Sequence, residues 1–278
     1  MLCSKKFRAT VAVSLTPIFA FLGASPAFAA DIADPTYQIK LRISPEVLDA
    51  EGNPTQDFAD KYELSDLKGT EQIAYLDTAD NFYQNRGWSL RIRLKEKSRE
   101  YDLTYKYRHP LAQNSLDKET VNDALEFAND NNFDESDTNY DAQVNTSFFT
   151  STLDFSNKKS TNCQPFNCVF PSDELAATLI ADKEPGKLTK ASGTHIDPQS
   201  LEMSPVVEQR TWRIDVDGID TDFEVTNING DFWVEVSEED SSRKDAARKK
   251  QELINSLTED GILLKQDAFK TDYVLARF

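Results

Sequence analysis

The segment Tyr75–Arg108 constrains the fold more than any other part of this chain, because it alternates charge with apolarity at the period of a β-strand. Arg91, Arg93 and Lys95 alternate with Leu90, Ile92 and Leu94, and Lys106 and Arg108 alternate with Tyr105 and Tyr107. Successive strand side chains point to opposite faces, so each run has one cationic and one apolar face. Two such strands, paired, make a basic panel on a hydrophobic backing. The chain around that panel is acidic, with 48 Asp and Glu against 31 Lys and Arg and a formal charge of −17. That balance argues against non-specific binding to nucleic acid or to anionic membrane surfaces. Any basic site is therefore expected to be local and enclosed, and its partner a polyanionic small molecule.

At the N-terminus, Lys5, Lys6 and Arg8 precede an apolar run from Thr10 to Gly23 and then Ala27-Phe28-Ala29. This is the order of a signal peptide with an A-x-A cleavage site, and the apolar run is short for a transmembrane anchor. Residues 1–29 are expected to be removed, leaving one domain over residues 30–278 in the periplasm or secreted, with no membrane attachment. Cleavage takes away three cations and no acids, so the formal charge moves from −17 to −20. Cys3 leaves with the signal. Cys163 and Cys168 are expected to form a disulfide, as close pairs do in oxidising compartments. Zinc is the alternative, although no histidine stands nearby to complete a tetrahedral site.

Along the mature chain, Tyr37–Ile43 alternates as a strand, with Gln38, Lys40 and Arg42 on its polar face. Ser44-Pro45-Glu46 resembles a helix start. Gln72–Asp77 is a further strand, followed by a turn or helical piece at Asn81–Arg86. Residues 109–139 read as a solvated acidic insertion carrying a helix over Asp117–Asp130. The acids Asp130, Asp134, Glu135 and Asp137 lack the glycine and terminal glutamate of a calcium loop. Strands resume at Tyr140–Ser156, and Glu174–Ile180 forms a short helix. Three strands follow, Val206–Val216, Thr221–Thr226 and Asp231–Ser237, joined by the hairpin dipeptides Asp217-Gly218 and Asn229-Gly230. Ser241–Glu259 is an amphipathic helix with Ala246, Ala247, Leu253, Ile254 and Leu257 as its buried stripe. A last strand is expected at Asp272–Phe278. Many antiparallel strands with one polar face each, and few helices, imply an α+β fold built on a β-barrel with a polar lumen.

Tyr75-Leu-Asp-Thr-Ala-Asp, Gly87-Trp-Ser-Leu-Arg-Ile-Arg and Leu103-Thr-Tyr-Lys106, in that order and spacing, resemble the CYTH domain of the triphosphate tunnel metalloenzymes. Weaker similarity runs from about Thr36 to Phe278 and includes Lys270-Thr-Asp-Tyr273. The resemblance implies an eight-stranded antiparallel tunnel that holds a triphosphate between basic side chains, with glutamates placing a divalent cation such as magnesium or manganese. It assigns phosphate binding to Lys40, Arg42, Arg91, Arg93, Lys106 and Arg210. Strict alternation with Trp212 and Ile214 instead places Arg213 on the polar face, so both arginines stand as candidates. Guanidinium groups suit such a role because they bind phosphate oxygens in a bidentate fashion.

The acidic half of the family pattern departs from expectation. The family opens with glutamate-x-glutamate-x-lysine, and this chain reads Thr36-Tyr-Gln38-Ile-Lys40. The remaining candidate metal ligands are Glu235, which also takes the catalytic role, and Asp141. One or two acids leave at most a single metal site, completed by substrate phosphate. The leading expectation is an exported tunnel protein that binds a phosphate-rich ligand with weakened catalysis. An active metal-dependent triphosphate or phosphate-ester hydrolase is the first alternative, and a non-catalytic protein-interaction module the second.

Overall fold

The computed structural model describes residues 32–112, 115–136, 138–163, 168–267 and 269–276. The segment read as a signal peptide, Asp137, and the last two residues lie outside the described ones.

The described residues form ten strands: β1 (Thr36–Arg42), β2 (Gly69–Thr78), β3 (Trp88–Lys95), β4 (Glu100–Pro110), β5 (Asp141–Thr146), β6 (Ser151–Asn162), β7 (Leu201–Met203), β8 (Val207–Val216), β9 (Ile219–Ile228) and β10 (Asp231–Asp240). They hydrogen-bond in the order β3-β4-β6-β5-β1-β10-β9-β8-β2-β7, and a β2–β3 pairing closes the sheet into a ring. The expectation of eight antiparallel strands is corrected in two respects. The run Tyr140–Ser156 is broken at Ser147–Thr150, where Ser147 N donates to Thr150 O at 2.8 Å, so it supplies two strands. The first of them, β5, pairs parallel to β1, with Gln38 opposite Asn145. Ser204-Pro205 also separates β7 from β8, since proline has no N–H to donate. There the Ser204 hydroxyl accepts from Tyr75 N at 3.0 Å and keeps the ladder satisfied.

Both hairpin dipeptides turn as their sequences imply. Asp217 and Gly218 have φ of 51° and 84°, and Asn229 and Gly230 have φ of 54° and 94°. Two consecutive left-handed residues match the right-handed twist of the flanking strands.

Among the described residues there are six α-helices: α1 (Gln56–Lys61), α2 (Lys118–Asp130), α3 (Asp173–Asp182), α4 (Gly186–Ser192), α5 (Arg243–Glu259) and α6 (Lys270–Leu275). Ser44-Pro45-Glu46 opens only a single 3-10 turn, with the Ser44 hydroxyl accepting from Glu46 N. The stripe of α5 packs Leu253 and Leu257 against Ile39, Leu41, Phe223, Val225, Val234 and Val236, the outward residues of β1, β9 and β10. The acidic insertion is not a solvated appendage. Val121, Ala124, Leu125 and Ala128 of α2 are buried with the outward residues of β3, β4 and β6. Phe133 stacks on Phe155 and Tyr107, with ring centroids 4.5 and 5.4 Å apart. The acids of this segment point outward from an apolar stripe, which an average over composition conceals.

The last expected strand is a helix instead. Both edges of β2 are taken, by β3 on one side and by β8 and β7 on the other. The segment therefore satisfies its backbone internally as α6 and buries Val274 and Leu275 with Ile73, Tyr75 and Trp233. The expected disulfide is present between Cys163 and Cys168, with Cα atoms 5.5 Å apart. Among the described residues no helix is long and apolar enough to cross a membrane.

Candidate functional site

Every strand of the closed ring except the short β7 sends side chains into one cavity of about 700 Å³. The reason is the strand period: Ile39, Leu41, Ile92 and Leu103 face the outer cores, so the residues between them face the lumen. The same alternation brings Lys40 and Arg42 of β1, Arg91 and Arg93 of β3, and Lys106 and Arg108 of β4 to the cavity wall. Five of these six are the cations expected from sequence to bind phosphate. Arg108 stood in the basic panel and joins them.

The cations differ in how far they are neutralised. Arg93 forms ion pairs with Glu71 and Asp102, both at 3.2 Å. Beneath the wall, the Asp154 carboxylate is fully buried and pairs with Lys106 at 3.2 Å and Arg108 at 3.3 Å, and Asn145 donates to it at 3.1 Å. Burial works against its ionisation, but Arg108 and Lys106 more than offset that and hold its carboxyl below the usual range. For Lys106, burial dominates. It pushes the ammonium down to about 8; Asp154 opposes the shift, while Arg108, Arg91 and Lys40 add to it. Arg91 donates to the neutral Thr104 hydroxyl at 3.2 Å and has no carboxylate in ion-pair range among the described residues. Its buried Nε, like that of Arg93, lacks a hydrogen-bond partner there. Burial and the neighbouring Arg93 lower the Arg91 pKa. Aromatic faces orient two further guanidinium groups: Arg42 lies 3.9 Å from the Trp233 ring and Arg108 lies 3.8 Å from the Phe269 ring.

Arg210 and Arg213 are corrections, because neither lines the cavity. Arg210 sits on the opposite face of β8 and reaches the 51–53 loop, donating to Asn53 at 2.7 Å and to the Gly52 carbonyl at 2.7 Å. Arg213 does share a strand face with the cavity residue Gln209, as alternation requires. It lies too far along β8, near the hairpin, and is neutralised by Asp220 and Asp222. Lys95 likewise ends its strand exposed, paired with Asp102 at 3.0 Å.

The acidic candidates are brought to the same cavity but engaged by cations. Asp141 pairs with Lys158 at 2.7 Å, and both side chains are 65% exposed. Glu235 is buried, with Lys270 at 3.1 Å, Lys40 at 3.6 Å and the Trp233 indole N–H at 2.6 Å. Burial opposes its ionisation, and Lys270 and Lys40 overcome that, holding the carboxyl far below the usual range. Sequence reasoning passed over Glu224, Asp154 and the cavity role of Lys270. The first two were legible as lone acids between apolar neighbours, Phe223 and Val225 in one case, Leu153 and Phe155 in the other. Lys270 was not, because the strand expected at Asp272–Phe278 leaves it outside, and only the helix that forms there instead carries it into the cavity.

This donor set does not fit a resident divalent ion. Thr36 and Gln38 supply no charge, Asp141 is paired at the surface, and the Glu235 oxygens already have nitrogen partners. Among the described residues no group of three or more acidic, histidine or cysteine side chains is arranged to hold a metal.

No protein-family model matches the sequence, and no curated protein matches it. Solved structures do. The chain is similar to HpAC1 of Hippeastrum, a candidate adenylyl cyclase described as having a dominant triphosphatase activity. Identity is 16%, the TM-score is 0.53, and the match covers 86% of this chain and 95% of that one. It is also similar to a candidate adenylate cyclase from Bacillus halodurans, at 13% identity and a TM-score of 0.50, covering 88% and 98% of the two chains. The likeness is one of fold, and the fold is the CYTH-type tunnel.

Proposed function

We propose that the tunnel binds a phosphate-rich or similarly polyanionic small molecule, in a protein exported by its N-terminal segment, and that hydrolysis is weakened. One observation carries this reading: six cations from three strands converge on a single cavity, and Arg91 among them has no carboxylate partner among the described residues. A cavity of about 700 Å³ lies within the roughly 300–1,000 Å³ usual for small-ligand sites. The Nε groups of Arg91 and Arg93, buried and without partners, are donors that an anionic oxygen would satisfy. A triphosphate is the ligand class favoured by the fold it shares with HpAC1. The disulfide and the signal-like order of residues 5–29 support export. Loss of carboxylates at Thr36 and Gln38 supports weak turnover, since hard cations need such ligands to sit beside the phosphates.

Calorimetry of the purified protein with inorganic triphosphate at low salt tests the reading. Binding is expected, and Arg91→Ala together with Arg93→Ala should weaken it by about 100-fold, the equivalent of two charge-assisted hydrogen bonds at about 1.5 kcal/mol each. Absence of heat with triphosphate, pyrophosphate and polyphosphate alike would overturn it. Phosphate release with magnesium or manganese that disappears in Glu235→Gln would instead establish the hydrolase.

A further inference from the structure

One buried charge in the cavity does not belong to the phosphate-binding wall. Lys270 opens α6, and its side chain is 12% exposed. Its ammonium donates to Gln209 Oε1 at 2.5 Å and Glu224 Oε2 at 3.1 Å, and lies 3.1 Å from Glu235 Oε1. Two hydrogen bonds and one ion pair thus tie the ammonium to oxygens from three adjacent strands, β8, β9 and β10. Burial lowers its pKa, but Glu235 and Glu224 more than reverse that and raise it above the ordinary lysine value, so the group is a permanent cation.

An oxygen cradle with two carboxylates is what a hard cation requires. Here it already holds one. We propose that Lys270 is a tethered counter-ion standing in the position of a divalent cation between Glu224 and Glu235, so that the tunnel takes its polyanion without metal. The charge balance supports this. Glu224 and Glu235 carry two negative charges, and Lys270 with Lys40 carries two positive ones within 3.6 Å. Three of the four carboxylate oxygens accept hydrogen bonds, Glu235 Oε2 from Trp233, Glu224 Oε2 from Lys270 and Glu224 Oε1 from the Ser237 hydroxyl at 3.2 Å, while Glu235 Oε1 lies in ion-pair range of both lysines without a hydrogen bond. A dication entering this cradle would meet no net charge and would have to expel an ammonium that α6 holds in place. Val274 and Leu275 anchor that helix against Ile73, Tyr75 and Trp233. The Lys270 charge also leaves Lys40 only partly committed to Glu235, at the longer distance of 3.6 Å, and so available to a phosphate oxygen.

The binding half of this proposal rests on the polyanion reading above; the cation half does not. Manganese binding is therefore measured first, by calorimetry and electron paramagnetic resonance, in the absence of phosphate. The wild type is expected to show no site tighter than millimolar. Lys270→Ala and Lys270→Gln should each gain a site at least ten-fold tighter, which is lost again when Glu224→Gln is added. In a second arm, triphosphate is titrated in EDTA. The wild type should bind, Lys270→Ala should bind at least ten-fold more weakly, and manganese should restore the variant. A wild-type manganese site removed by Glu235→Gln would overturn the proposal, as would variants that stay folded yet gain no manganese affinity. If both variants fail to fold, the wild-type manganese and EDTA titrations decide. A wild type that binds triphosphate only when metal is added overturns the proposal. Failure of the wild type and every variant to bind triphosphate, with manganese behaving as expected, overturns the polyanion reading and leaves the tethered cation standing.

Discussion

At the scale of single residues, the cavity is a set of charges whose ionisation is decided by burial and pairing. Lys106 makes this measurable. Its ammonium is pushed down to about 8 by burial in a cationic neighbourhood, so it loses charge as pH rises through that value. Triphosphate affinity of the wild type is expected to fall between pH 7 and pH 9 relative to Lys106→Arg, whose guanidinium stays charged throughout. Taking the two proteins as a ratio removes the titration of the ligand itself. Equal pH profiles for both would show that Lys106 does not meet the anion. Asp154 and Glu235 act on stability with the opposite dependence. Their folded pKa values lie below the unfolded ones, so the stability they contribute is complete above about pH 4 and is lost as pH falls. Asp154→Ala leaves two half-buried cations without their counter-charge and is expected to cost about 3–5 kcal/mol at pH 7. Denaturant unfolding at pH 7 and pH 3 checks both points, because the penalty should shrink at the lower pH.

At the scale of elements, the insertion and the last segment show how composition misleads. Asp117–Asp130 is rich in acids, yet Val121, Ala124, Leu125 and Ala128 recur at helical spacing and seal the outside of β3, β4 and β6. The consequence is that α2 and the turn after it are part of the apolar core on the outside of the barrel. Phe133→Ala is expected to destabilise the protein by about 3–5 kcal/mol, the usual cost of an aromatic truncated in a core. Thermal unfolding that barely moves in this variant would return the segment to a surface appendage. The segment of α6 reads as a strand by composition, since Tyr273, Val274 and Leu275 are β-branched, aromatic or apolar residues in a row. Only the occupied edges of β2 forbid that pairing.

At the scale of the whole molecule, a chain of net charge −17 gathers a cluster of cations inside one cavity. Its exterior should repel long polyanions, whereas a short one can enter the ring. Duplex DNA is therefore expected to show no binding in a gel-shift assay at about 50 mM salt, conditions that favour non-specific contacts. Inorganic triphosphate should bind under the same conditions. A DNA complex at micromolar protein would mean that the basic residues act from the surface.

The sequence by itself determined most of the strands, the two hairpin turns, the disulfide and the basic wall, because each depends on periodicity or on chemistry local to a few residues. Alternation told which side of a strand Lys40, Arg91, Arg93 and Lys106 occupy without knowledge of any partner strand. It was correct in the same sense for Arg213, whose face is that of Gln209. Alternation carries no information about position along the barrel, and that alone separates Arg213, spent on Asp220 and Asp222, from the cavity. The tertiary structure decided what depends on residues far apart in the chain. It closed the ring and ran β5 parallel to β1. It turned the last segment into α6 and so set Lys270 among Gln209, Glu224 and Glu235, from 35 to 61 residues away along the chain. The anionic cradle is a property of three strands and a helix together, and no stretch of sequence contains it.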